Sequence, residues 1–394
     1  MSIGFSGRTR WHREPNRLAS ALESRRASGK PILDLTTSNP TQCGIPYPEQ
    51  ELLSALSRPA ALRYEPHPRG ILAARLAVTQ YYADKGLSID PETVVLTAST
   101  SEAYSLIFKI LCSAGEQVIV PRPSYPLFDY LAQVNDVELA YYDLVYDGGW
   151  NIDLGSVERA ISRHTKAMIL VNPNNPTGAF LKTGEYRRLV EIALNRNLAL
   201  IADEVFVDYA FENSPERFGS TAGARGVLTF TLNGLSKTAG LPHLKCGWIV
   251  VSGESPTAGE AIDRLEILSD TFLSVNTPVQ IALPELLRAS QGTRQEILSR
   301  VKGNYEALRH LVSSGGSALT PLQTEGGWCA VVRIPRTKSE EDWALELLDQ
   351  KGVSLYPGYF FDFEQEGYLV LSLLPEPEIF RRAVGGLVDL LSTT

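Results

Sequence analysis

Cysteine is scarce in this 394-residue chain. Its four cysteines, Cys43, Cys112, Cys246 and Cys329, form no CxxC pair and have no histidine at metal-ligand spacing. That pattern excludes a zinc ribbon and a disulfide framework, and points to buried thiols in a reducing, cytoplasmic compartment. No metal site is expected. Long apolar runs are missing too: no tract reaches the ~18 residues that a membrane span needs. The N-terminal stretch "MSIGFSGRTRWHREPN" carries charge but lacks the continuous apolar core of a secretory leader. Positive charge is in deficit, with 37 Lys and Arg against 45 Asp and Glu, a net charge of -8. Phosphate backbones are bound by an excess of cations, so neither nucleic acid nor a membrane is the expected partner, and the acidity serves solubility. There is no internal repeat, low-complexity tract or Pro/Ser linker, so the parts of the chain should pack closely together.

What the chain has is ordinary globular material, 44% apolar and 21% charged residues, enough for a large domain plus a smaller one or for two comparable domains. Six short runs rich in β-branched residues read as strands: "TVVLTA" (93–98), "EQVIVP" (116–121), "AMILVN" (167–172), "LALIAD" (198–203), "VLTFTL" (227–232) and "GWIVVS" (247–252). Helix-like stretches separate them, as where Ala103, Leu106, Ile107, Ile110 and Leu111 recur at helical spacing. Alternating strands and helices predict an α/β fold, a mostly parallel sheet covered by helices on both faces. From about residue 290 the order becomes helix, strand, helix, strand, which predicts a smaller α+β domain. The expected division is 1–45 as an N-terminal segment packing on the small domain, 46–285 as the large cofactor-binding domain, and 286–394 as the small domain.

Ligands of open α/β sheets sit beyond the carboxyl ends of the strands, and four such positions carry chemistry here. Ser99, Thr100, Ser101 and Glu102 open an amphipathic helix, where small hydroxyls either cap the helix or, with free N–H groups and the positive dipole end, cradle a phosphate. "NPNNPTG" (172–178) is a turn stiffened by two prolines that can aim an Asn side chain, with more asparagines than a plain turn requires. Asp203 ends an apolar strand, as a cap or as a working carboxylate. "GLSK" (234–237) brings Lys237 into an otherwise uncharged stretch, and a desolvated lysine has a lowered pKa and becomes a usable nucleophile or base. A phosphate cradle, an aimed Asn, a carboxylate and an amine form the set that pyridoxal phosphate needs: a lysine for its aldehyde and an acid for its ring nitrogen.

"NPNNPTG", "ADEVF" and "SKTAGLPHLKCGW", in this order and spacing, resemble the fold type I, class I/II aminotransferases over nearly the whole chain. The resemblance implies pyridoxal 5'-phosphate held by Lys237 as a Schiff base, with amino-group transfer between an amino acid or amine and a 2-oxo acid. It implies that Asp203 holds the ring nitrogen protonated, Asn175 bonds the ring oxygen, and Tyr125 of "PSYPLF" stacks on the ring. Ser99, Thr100, Ser101, Ser236 and Lys245 then surround the phosphate. "RYEPHPRG" resembles the segment whose tyrosine, here Tyr64, reaches the neighbouring subunit's cofactor, which implies a homodimer. Lys237 then takes the proton from the substrate's Cα and returns it to the cofactor.

Four positions depart from the family's pattern. Gly234 stands where a serine often binds the phosphate. Lys245 replaces an arginine, keeping the charge but losing the fork. Phe206 replaces a tyrosine that donates to the ring oxygen, so the proton of the lysine–cofactor linkage should be held more tightly. Val370, in "EGYLVLSLL", replaces the arginine that forks the substrate's α-carboxylate, so either Arg63, Arg69 or Arg122 has taken over that role or the substrate's anionic group is absent or lies elsewhere. "YPGYFFDF" (356–363), with Tyr359 and Phe360, is either packing or a loop suited to a bulky substrate. The alternatives to transamination are a β-lyase or decarboxylase on the same scaffold, or a ligand-sensing regulator, for which the thirty or so residues before the main body are too few to form a winged helix.

Overall fold

The structure, a computed structural model, describes residues 4–11, 14–316 and 318–392. Of the N-terminal stretch read above for a leader, residues 1–3, 12 and 13 lie outside the described residues. After β1 (Leu33–Asp34) come β2 (Val94–Thr97), β3 (Gln117–Arg122), β4 (Glu138–Tyr146), β5 (Trp150–Ile152) and β6 (Thr165–Val171). β7 (Ala199–Asp203), β8 (Thr229–Gly234) and β9 (Gly247–Ser252) complete the first group. The second group is β10 (Thr320–Pro321), β11 (Cys329–Arg333), β12 (Val353–Ser354), β13 (Tyr356–Pro357) and β14 (Tyr368–Ser372).

Strands β2 to β9 form one eight-stranded sheet in the order β2-β9-β8-β7-β6-β3-β4-β5. Its centre is parallel, from β4 through β3, β6 and β7 to β8. β9 runs antiparallel to both β8 and β2, and β5 antiparallel to β4. The strand runs are apolar without alternation because both faces are covered. Along β6, Ala167 and Ile169 enter one core with Ile107 and Phe230, while Met168 and Leu170 enter another with Leu189 and Leu200 on the opposite face. The covering helices include Thr100–Leu111 and Thr183–Arg196.

The second sheet has the order β10-β11-β14-β13 with antiparallel pairs. Its core joins Trp343, Leu369, Leu371 and Phe380 to Leu18 and Leu35 of the N-terminal segment. β1 pairs in parallel with β12, so the chain's start is stitched to its later part. The helix Thr277–Ala289 runs across residue 285, without a break at the expected boundary. No helix among the described residues is long and apolar enough to cross a membrane.

Candidate active site

Topology brings the loaded positions together. β2 runs antiparallel to β9, which runs antiparallel to β8, so β2 and the parallel strands end at the same edge. Across that edge the register pairs Thr97 with Gly247, Gly247 with Gly234, Leu232 with Asp203, and Asp203 with Val171. Adjacent strands lie roughly 4.8 Å apart, so Ser99, Lys237, Asp203 and the 172–178 turn open onto one patch.

Lys237 sits in the four-residue helix Leu235–Thr238 that follows β8 directly. Asn233, fully buried, fixes this turn: its Oδ1 accepts from Gly234 N at 2.7 Å and Thr238 Oγ1 at 2.8 Å. The Tyr209 hydroxyl donates to the Lys237 carbonyl, and Tyr47 Oη donates to Gly240 O at 2.7 Å. Gly240 lies at φ +66°, and a Cβ there would stand 3.0 Å from Tyr47 Oη. The lysine is therefore delivered on a rigid turn. Among the described residues its Nζ makes no hydrogen bond or ion pair, and it lies 4.7 Å from the Trp328 ring centroid and 5.4 Å from that of Phe206. Burial lowers its pKa against the opposing pull of Cys329 and Asp203. Desolvation favours the neutral, nucleophilic form of the amine.

Asp203 accepts from Tyr104 Oη at 3.0 Å and Val205 N at 3.2 Å. Burial pushes its pKa up to about 6, opposed by Val205, Tyr104 and Lys237. Tyr104 lies on the helix Thr100–Leu111, whose start is capped by Ser99 Oγ accepting from Glu102 N at 3.1 Å, with Glu102 Oε2 accepting from Ala98 N at 2.6 Å. Ser99 is thus committed as a cap, while Thr100 and Ser101 keep side chains with no protein partner.

The 172–178 turn divides its asparagines by task. Asn172 Oδ1 accepts from Leu181 N at 3.0 Å, and Asn174 Oδ1 accepts from Thr177 N and Oγ1 at 3.3 and 2.8 Å. Asn175 makes no side-chain bond to protein. The first two asparagines build the turn, and the third has no partner among the described residues.

Lys245 is exposed in the left-handed region at φ 49°, just before β9, and Tyr125 is 44% exposed after β3; neither makes a side-chain hydrogen bond. Ser236 likewise has no side-chain partner. Phe206 is buried edge-on against Trp328 at 5.3 Å. Tyr64 stands apart from this patch, 71% exposed on the segment before Leu72. Arg69 is held by Glu92 at 2.7 Å and Glu266 at 3.0 Å, Arg122 by Asp143 at 2.6 Å and Glu364 at 3.1 Å, and Arg63 faces Glu65 at 3.4 Å. All three candidate arginines are committed to carboxylates. Sequence reasoning missed Tyr104, Asn233, Trp328 and Cys329. Asn233 alone left a signal, a polar residue inside an apolar strand; the others follow from tertiary packing.

The donor set fits pyridoxal phosphate: an amine on a rigid turn and a partly buried carboxylate aligned by Tyr104, with an Asn and helix-start hydroxyls that have no partner among the described residues. The whole fold is that of the fold type I enzymes, as solved structures show. An aminotransferase from Escherichia coli superposes with a TM-score of 0.87 at 24% identity, covering 100% of this chain and 99% of that one. Alanine aminotransferase from Pyrococcus furiosus gives 0.86 at 22% identity, covering 96% of each chain. Residues 31–384 match the family described as aminotransferase class I and II, and the chain belongs to that family. It is 28% identical over 371 residues to glutamate-pyruvate aminotransferase AlaA of Haemophilus influenzae, spanning 92% of this chain and 91% of the relative. Tyrosine aminotransferase of Mus musculus is 27% identical over 361 residues, 89% of this chain and 78% of the relative. The protein is a transaminase of a pyridoxal phosphate-dependent family.

Proposed function

We propose that transamination runs on Lys237, with Asp203, Asn175 and the 99–101 helix start holding the cofactor. The observation that carries this reading is the unpaired, desolvated Nζ of Lys237 at the same edge as the partly buried Asp203. Bound pyridoxal phosphate supplies an aldehyde for covalent attachment of an amine and a ring that spreads the electron pair left when a substrate C–H bond breaks. Lys237 Nζ, with its pKa below the usual lysine value, takes that proton and later returns it. Asp203, beside Tyr104 and Val205, holds a proton on the ring nitrogen and so keeps the ring electron-poor. Asn175 Nδ2 donates to the ring oxygen without help from residue 206, because Phe206 has no hydroxyl. The hydroxyls of Thr100, Ser101 and Ser236 and the Lys245 ammonium bind the phosphate, with Ser99 holding the helix start in place. Tyr125 would stack on the cofactor ring.

We also infer a cytoplasmic homodimer in which Tyr64 completes the neighbouring site, supported by the exposure of Tyr64 and by four free cysteines. The pairing of β1 with β12 supports reading 1–45 as a segment of the small domain, with 46–285 and 286–394 as the two main bodies. Borohydride reduction of the holoenzyme tests the core of the proposal: the label should map to the peptide bearing Lys237 and vanish in Lys237→Ala. A label on a different lysine would sink it.

A further inference from the structure

The face of the small sheet turned toward Lys237 is uncharged. Alternation along β11 and β14 sends Ala330, Val332, Leu369 and Leu371 into the small domain's own core. Cys329, Val331, Val370 and Tyr356 point the other way, into a cluster with Trp150 and Phe361. This face borders the site: Phe361 O accepts from Ser124 N at 2.9 Å, beside Tyr125, and Ala179 just past the 172–178 turn joins the same cluster. Val370 pairs in register with Val331 and Tyr356 and is fully buried. The place where the family's pattern has a carboxylate-forking arginine is thus filled and closed by hydrocarbon.

None of the three candidate arginines compensates. Arg63, Arg69 and Arg122 are each paired with carboxylates. The charged or ionisable groups acting on Lys237 are Cys329 and Asp203. Two buried donors without a partner border this face, Trp150 Nε1 and Ser124 Oγ, and both are neutral. A substrate carboxylate brought here would lose its water and meet no counter-charge, an arrangement strongly disfavoured in a low-dielectric site. An aromatic or aliphatic substituent loses nothing by the same move.

We propose that the amino donor is a primary amine with an apolar or aromatic body whose amine-bearing carbon carries no carboxylate. The proposal rests on transamination at Lys237. In that half-reaction RCH2NH2 and the cofactor aldehyde become RCHO and the cofactor amine. The substrate's C–N bond breaks and a C–N bond forms on the cofactor carbon. The substrate carbon is oxidised by two electrons, the cofactor carbon is reduced by two, and the C–H proton passes through Lys237 Nζ. The water consumed in releasing RCHO matches the water lost when the amine attaches.

The test uses matched donors that differ only in the carboxylate: 2-phenylethylamine against phenylalanine, butylamine against norvaline, and histamine against histidine. Single-turnover conversion of the holoenzyme's visible band is followed for each. At least one amine should exceed its amino acid in rate over half-saturation by about tenfold or more, the scale of a charged hydrogen bond no longer needed. Every amino acid outpacing its amine overturns the proposal. Conversion by no donor, with the cofactor still fixed on Lys237 by borohydride, overturns transamination itself and the proposal with it. A second readout needs no turnover: calorimetry with 3-phenylpropanoate should show no binding to wild type at millimolar concentration, and binding to whichever of Val370→Lys and Val370→Arg folds. Submillimolar binding of this carboxylate to wild type would overturn the proposal even if neither variant folds.

Discussion

Restoring the family's serine at position 234 should harm this protein. The Gly234 backbone is extended, φ 174°, so any residue could adopt the conformation and only space is at issue. A Cβ there would stand 2.8 Å from Gly247 Cα and 2.9 Å from Cys246 O, both backbone atoms of the next strand. Cys246 O already accepts from Leu235 N at 2.9 Å, so moving it strains the bond that starts the turn bearing Lys237. Overpacking against atoms that cannot rotate away costs about 1–3 kcal/mol. If the whole cost fell on cofactor binding, Kd would rise roughly 5- to 150-fold, since about 1.4 kcal/mol is tenfold. Gly234→Ala separates the two properties of serine, carrying the Cβ without the hydroxyl. Pyridoxal phosphate Kd from fluorescence quenching and urea midpoints are measured for wild type and both variants. Serine and alanine should lose similar amounts. A serine variant that binds the cofactor more tightly than wild type at unchanged stability would falsify the steric argument.

Asn175→Ala should leave the cofactor-free urea midpoint within error of wild type, because the side chain has no protein partner to lose; cofactor Kd should rise about tenfold, the loss of a charged hydrogen bond. Asp203, raised to about 6, binds its proton more tightly when folded than unfolded, so its contribution to the cofactor-free fold is full below pH 4 and is lost as pH rises to 6. Two units are worth about 3 kcal/mol, so stability between pH 4 and 7 should fall by up to that much more in wild type than in Asp203→Asn; Glu204, pushed up to about 7 by burial, is common to both and cancels. Parallel pH curves for the two proteins would contradict the assignment. Glu340, buried, accepts from Tyr359 N at 2.7 Å, Tyr368 N at 3.1 Å and Gly367 N at 3.3 Å. Glu340→Gln should cost about 1–3 kcal/mol and raise amide exchange over residues 358–368 while sparing the sheet around Asp203; unchanged exchange there would show that the loop holds without it.

The strands at the site's floor were legible because burial on both faces leaves an unbroken apolar signature: all six expected runs fall on β2, β3, β6, β7, β8 and β9. β4 and β5 escaped the reading, since "ELAYYDLVY" at the sheet's edge is only partly buried and mixes polar residues with aromatic ones. The chemistry was legible where it sits just past a strand end, as with Asp203 and Lys237. It was illegible where it depends on a side chain crossing between elements. Tyr104 sits beside the helical stripe of Ala103, Ile107 and Leu111, and only the fold directs its hydroxyl at a carboxylate ninety-nine positions away. Trp328 reaches Lys237 from the other sheet, a meeting that no spacing in the sequence encodes.

The departures at 206, 234 and 370 share one physical direction: each replaces a polar group by hydrocarbon or by nothing, and each has a neighbour that requires it. Gly234 lies under β9, Phe206 meets the edge of Trp328, and Val370 is enclosed between β11 and β13. Removing these groups lowers the polarity around Lys237, which strengthens both shifts that matter for proton transfer: the amine's pKa falls and Asp203's rises as water is excluded. The contacts proposed for Asn175 and Asp203 therefore act in a drier site, where each is worth more than in a solvated one. A site that holds its cofactor through fewer, stronger contacts while presenting an apolar wall to the substrate can select by shape and desolvation where it lacks a fork for charge.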